Sequence, residues 1–142
     1  MLAAIPTDPE ESMKFAMRAM AGFLLVLGAA APRAAAQGSL GVSFTWRGTA
    51  ACSTIPPAFS ITSIPPGAAK LRFAMKDLDV PGFDHGGGTI VYRGTGEIPI
   101  GAFAYTGPCP PGGVHRYQWT VEALDASDRV LATGQATMPF PP

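Results

Sequence analysis

The chain has 142 residues, with ten Lys and Arg balancing ten Asp and Glu, and it carries 17 Gly and 15 Pro. A neutral balance leaves no electrostatic footprint for nucleic acid or an anionic membrane surface, so any anion site must be built locally. The length suits one domain once a leading segment is set aside.

Residues 13 to 36 read as a secretory signal. Lys14 and Arg18 form a positive n-region, Phe23-Leu24-Leu25-Val26-Leu27 lies in a short apolar core, and Ala34-Ala35-Ala36 supplies a small-residue cleavage site before Gln37. The alternative is an uncleaved anchor, against which the apolar run is short for a bilayer. Residues 1 to 12 carry Asp8, Glu10 and Glu11, the wrong charge for an n-region, which points to a start at Met13. The expectation is therefore an extension and signal over 1 to 36, a domain over 37 to 142, and a periplasmic or secreted protein.

From Gln37 onward no apolar pattern of helical period is long enough to predict a helix, and short extended runs alternate with Pro and Gly clusters. The spacing predicts an all-β domain, a sandwich or an open barrel. The predicted strands are Leu40 to Trp46, Ala58 to Ile61, Lys70 to Asp77, Gly88 to Tyr92, Tyr117 to Leu124 and Val130 to Met138. Breaks fall at Pro56-Pro57, Pro65-Pro66-Gly67, Pro81-Gly82, Gly86-Gly87-Gly88 and the run Gly107 to Gly113. Asp125-Ala126-Ser127-Asp128 reads as the turn of a final hairpin, and Pro139-Phe140-Pro141-Pro142 as a tail that cannot extend a sheet.

Cys52 and Cys109 sit in two Pro-bounded loops. In an oxidising compartment they can close as a disulfide, the alternative being two buried thiols.

The chain has two histidines, and each lies where a Gly-rich or Pro-rich loop meets a strand. His115 opens an alternating strand whose Tyr117, Trp119, Val121 and Ala123 share its face, while Arg116 points the other way. His85 follows Asp77 and Asp79, which in extended chain would point to one side. Loop and strand ends on a rigid scaffold are where sites are usually built. Taken singly, His115 also reads as a satisfied core histidine and the two acids as a solvated turn. Trp46, Phe59, Phe83, Phe103 and Tyr105 read as core first and as pocket walls second. No His-x-x-x-His pair suggests a metal, no Gly-x-Ser-x-Gly elbow suggests a serine hydrolase, and no cofactor is called for.

Two motifs carry a family resemblance. Asp77-Leu78-Asp79-Val80-Pro81, followed by His85, resembles the Asp-Pro-Asp-x-x-Pro motif of phosphatidylethanolamine-binding proteins, with Leu78 in place of the usual proline. Gly107-Pro108-Cys109-Pro110-Pro111 leading to His115-Arg116-Tyr117 resembles that family's Gly-x-Pro-Pro loop and His-Arg-Tyr, in the form of its bacterial Raf-kinase-inhibitor-like branch. Ser53 to Phe59 and Ile64-Pro65-Pro66-Gly67 resemble its Ser-Pro loop and Val-Pro-x-Gly turn, so the likeness spans about Gly41 to Asp125. Gly86-Gly87-Gly88 stands where that branch has an aromatic after the first histidine, and the helix before the last strand is missing.

The resemblance implies a trimmed antiparallel β-sandwich with little or no helix. It implies a pocket for a small anion or phospholipid head group, formed by Asp77, Asp79, His85, Gly107, His115 and Tyr117. Arg116 and Pro81 would brace the loops. The implied function is binding without catalysis; the alternative is an inhibitor or interaction module for an envelope protein such as a protease.

Overall fold

The computed structural model describes residues 37–142, and the signal segment expected over 13 to 36 lies outside them. Eight strands run in chain order: β1 (Gly38–Ser39), β2 (Gly41–Phe44), β3 (Phe59–Thr62), β4 (Lys70–Asp77), β5 (Asp84–Val91), β6 (Glu97–Ile98), β7 (His115–Leu124) and β8 (Val130–Phe140). Among the described residues there is no helix, and so none long and apolar enough to cross a membrane.

The strands form a five-stranded sheet in the order β1-β8-β7-β4-β5 and a three-stranded sheet in the order β2-β3-β6. All pairings are antiparallel except β1 with β8. The sandwich is thus the all-β fold expected, with one short parallel contact added.

Period-two patterning builds the core. Along β4 the inward row is Leu71, Phe73 and Met75, and along β7 it is Tyr117, Trp119, Val121 and Ala123, all buried. Phe59 of β3 closes the second layer onto that row, its ring 4.9 Å from Phe73 and 5.1 Å from Trp119. Burying an aromatic of this size removes enough apolar surface to contribute about 1.5–3 kcal/mol. The inward row of β4 ends in an acid: Asp77 is only 3% exposed, and its register partner across the sheet is Tyr117. One strand pattern therefore supplies three core residues and a buried carboxylate at its end.

Four expectations need correction. The Gly86-Gly87-Gly88 run is not a break but lies inside β5, which starts at Asp84; the register shifts between Ala74 and Lys76 opposite it, marking a bulge. Glycine is required there because a Cβ on Gly87 would stand 1.9 Å from the Phe73 carbonyl oxygen. Pro139-Phe140 does extend the sheet, pairing with Arg116 and His115. Arg116 turns its backbone N–H and C=O toward the β4 side, to Asp79 and Leu78, so the facing Pro139 nitrogen points to the open edge, where no donor is needed. The strand expected over Leu40 to Trp46 stops at Phe44, and Trp46 turns into the core at 2% exposure. Lastly, Asp77 and Asp79 do not share a side: the strand ends at Asp77, whose Oδ1 accepts from the amides of Asp79 (2.8 Å) and Val80 (3.0 Å) and bends the chain away.

The final hairpin forms as read, with the Asp125 and Asp128 amides bonding to the Arg129 and Asp125 carbonyls. A disulfide joins Cys52 to Cys109 across 57 residues of sequence.

Candidate functional site

At the end of the sandwich where β4 stops and β7 starts, a cavity of about 150 Å³ is lined by Asp77, Val80, Phe83, His85, Cys109, Pro110, Pro111, His115 and Tyr117. Asp77 is the last residue of β4 and faces Tyr117, the third residue of β7, and His115 lies two residues before Tyr117 on the same face. His85 is the second residue of β5 and is buried at 3% exposure.

Both imidazoles are anchored through Nδ1. His115 Nδ1 donates to Asp77 Oδ2 at 2.7 Å, and His85 Nδ1 donates to the Thr106 carbonyl at 2.7 Å. Thr106 returns the contact, its amide bonding to the His85 carbonyl at 2.9 Å. Neither Nε2 has a hydrogen-bond partner among the described residues. Tyr117 sits between the rings, edge-on to His85 at 5.3 Å and nearly parallel to His115 at 6.3 Å.

Charge at the site is held in place by hydrogen bonds. Burial, the largest single influence on Asp77, opposes its ionisation. The His115 hydrogen bond and the amides of Asp79 and Val80 together overcome that and hold the carboxyl below its ordinary value. Burial, helped by the Asp77 charge, pushes the Tyr117 phenol up to about 12.

The structure brings Asp77, His85, His115 and Tyr117 to one cavity and leaves Asp79 and Gly107 out of its lining. Asp79 instead takes both the backbone amide (2.7 Å) and the guanidinium (Nη2, 2.9 Å) of Arg116, whose hydrogen bonds hold the Asp79 carboxyl below its ordinary value. Pro81 is the second residue of the turn closed by the Phe83 amide and the Val80 carbonyl, which returns the chain to β5. Gly107 is buried against the Ser53 carbonyl, where a Cβ would approach to 2.0 Å. It positions the wall without facing the void. Beside it the Cys52 amide bonds to the Pro108 carbonyl at 2.8 Å, so the disulfide and this bond together hold the Pro-rich wall.

Where an aromatic is absent after His85, Phe83 stands before it, its ring 4.6 Å away and half exposed. Trp46, Phe59 and Tyr105 are buried and Phe103 packs against them as core. Sequence reasoning did not find Thr106, because its contribution is a backbone carbonyl that no side chain advertises. A larger groove of about 440 Å³ opens at the far end of β5 beside Ile90, Tyr92 and Ile98. Arg93, Thr95 and Glu97 are among its lining but it holds no histidine, whereas the smaller cavity gathers both histidines and a buried carboxylate, which makes the smaller cavity the better site.

This fold is that of the phosphatidylethanolamine-binding proteins. The crystal structure of CT736 of Chlamydia trachomatis, described as a homologue of that protein, matches with a TM-score of 0.56 at 19% identity, covering 75% of this chain and 99% of the other. Escherichia coli YbcL, described as a member of the mammalian family of such proteins, matches with a TM-score of 0.51 at 17% identity, over 61% and 80% of the two chains. No protein-family model matches the sequence, and no curated protein does.

Proposed function

We propose that the protein is an exported, non-catalytic binding protein of the phosphatidylethanolamine-binding type, which holds a small anion or a phospholipid head group between His85 and His115. The observation that carries this reading is the pair of imidazoles anchored through Nδ1 at one small cavity, each with Nε2 free. Protonated imidazoles donate strongly to phosphate oxygens. Arg116 acts as a brace through Asp79, from the opposite face of β7, and Pro81 shapes the turn that carries Phe83 to the mouth.

Because His85 and His115 are the only histidines, their ring resonances can be followed without ambiguity. Millimolar phosphoethanolamine at pH 5.5 should shift both. Unshifted rings would overturn the reading. His115→Ala should weaken the response while the strand remains folded on Tyr117, Trp119 and Val121; loss of the fold would make His115 a core residue instead.

A second reading, a protein-interaction module in the cell envelope, is favoured by the exposed apolar side chains at and beside the mouth: Val80, Phe83 and Val114, 45%, 51% and 61% exposed. It requires an envelope partner whose capture is abolished by Phe83→Ser and insensitive to phosphoethanolamine competition at His85.

A further inference from the structure

We infer that, when both imidazoles are neutral, the cavity selects an oxyanion that brings a proton of its own, inorganic phosphate, over proton-free anions such as sulfate and phosphodiesters. The inference rests on the reading that this cavity is the ligand site, and it goes on to name the ligand's chemistry.

A carbonyl oxygen has no proton to give, so Thr106 fixes a proton on His85 Nδ1. An ionised carboxylate has none either, so Asp77 fixes a proton on His115 Nδ1. A neutral imidazole has one N–H, and in both rings it is committed. What each ring then offers through Nε2 is a lone pair.

No cation compensates. Of the nine residues lining the cavity, Asp77 is the only one with a fixed charge, and it is negative. The groups facing the histidines from the packed elements are Asp77 of β4, Tyr117 of β7 and the Thr106 carbonyl, and the Asp79 carboxylate, paired to Arg116, also lies within the electrostatic reach of His115. The Tyr117 phenol stays protonated up to about pH 12. Arg116 is 62% exposed in its side chain, points from the other face of β7 and is neutralised by Asp79. An oxyanion entering the neutral site therefore meets two acceptors and a carboxylate.

Such a complex forms only with a proton between each oxygen and each Nε2. Sulfate carries no proton near neutrality, so every bridging proton must come from solvent onto a ring. Phosphate carries at least one. It needs at least one proton fewer than sulfate for the same contacts, so by proton linkage, with the rings neutral, its advantage should grow at least about tenfold per pH unit.

Calorimetric titration of the protein with inorganic phosphate and with sodium sulfate, at pH 5.5 and 7.5 and equal ionic strength, tests this. Sulfate should lose at least about tenfold more affinity than phosphate between the two pH values. Repeating in buffers of different ionisation enthalpy should show one more proton taken up with sulfate. Dimethyl phosphate, which has no proton near neutrality, should follow sulfate, which separates free phosphate from the diester of a lipid head group. Parallel pH profiles for phosphate and sulfate would overturn the inference while leaving the binding site standing; no binding of any anion at either pH would overturn the site itself.

Asp77→Asn supplies an independent check. Its Oδ1 can keep the Asp79 and Val80 amides, but the new NH2 would face His115 Nδ1 and drive the ring proton to Nε2. The variant should gain sulfate affinity at pH 7.5. An unchanged preference for phosphate in a variant that still binds phosphate would count against the inference, and the wild-type profiles decide the matter if the variant does not fold.

Discussion

Replacing Cys52 and Cys109 together by Ser removes a crosslink that closes a loop of 57 residues. In the chain-entropy account a loop of that length restricts the unfolded chain by about 4 kcal/mol at room temperature. For a domain of about 100 residues, that corresponds to a fall of about 15–20 °C in melting temperature. The native state should change little, because the Cys52 amide still bonds to the Pro108 carbonyl and Gly107 still packs on the Ser53 carbonyl. Urea denaturation followed through the fluorescence of buried Trp46 and Trp119 gives the loss, and the ring resonances of His85 and His115 report whether the cavity persists. The expected result is a large drop in midpoint with unshifted rings. A loss under about 1 kcal/mol would refute the entropic reasoning, and displaced rings in the folded variant would show that the bond shapes the native wall instead.

Asp77→Ala leaves His115 Nδ1 and the amides of Asp79 and Val80 without their acceptor, which should cost about 1–3 kcal/mol in a denaturation experiment at pH 7. The Asp77 carboxyl lies below its ordinary value in the folded state, so its contribution is complete above about pH 4, where the unfolded chain's Asp titrates, and is lost as pH falls through the folded value. The gap between wild type and variant should therefore narrow on acidification below about pH 4, and a constant gap would contradict the assignment. Gly87→Ala should destabilise by more than about 2 kcal/mol by thermal melting, since the added methyl meets backbone and not a side chain that could move. Burial holds the Tyr105 and Tyr117 phenols up to about 12, so their ionisation in an ultraviolet titration should come near that pH, with the stability tied to their neutral forms lost as pH rises from about 10 toward it.

The sequence was most legible where one face of a strand meets the core. β4 begins and ends at the residues its alternation marks, and β7 differs only in taking in His115 and Arg116. Two-residue strands such as β1 and β6 have no period to read. The Gly86 to Gly88 run was misread because glycine marks a turn and a close approach alike, and only the distance to the Phe73 carbonyl separates them. At the site, His85 and His115 were legible from their positions at loop-strand junctions. The separation of Asp77 from Asp79 was not, because Asp77 takes the amides of Asp79 and Val80 and caps the turn instead of continuing the strand.

The edges of the larger sheet bear on how this protein behaves when concentrated. A bare edge strand is a template for another chain's backbone. Here the register of β5 breaks at its glycine bulge, while β8, which among the described residues pairs with no strand on its outer side beyond Thr133, carries a proline whose missing N–H falls on that side. Each edge thus breaks the ladder that an incoming strand would need to copy. The same backbone irregularities that aim His85 inward on one side and finish the His115 strand on the other also guard the domain against fibre-like self-association.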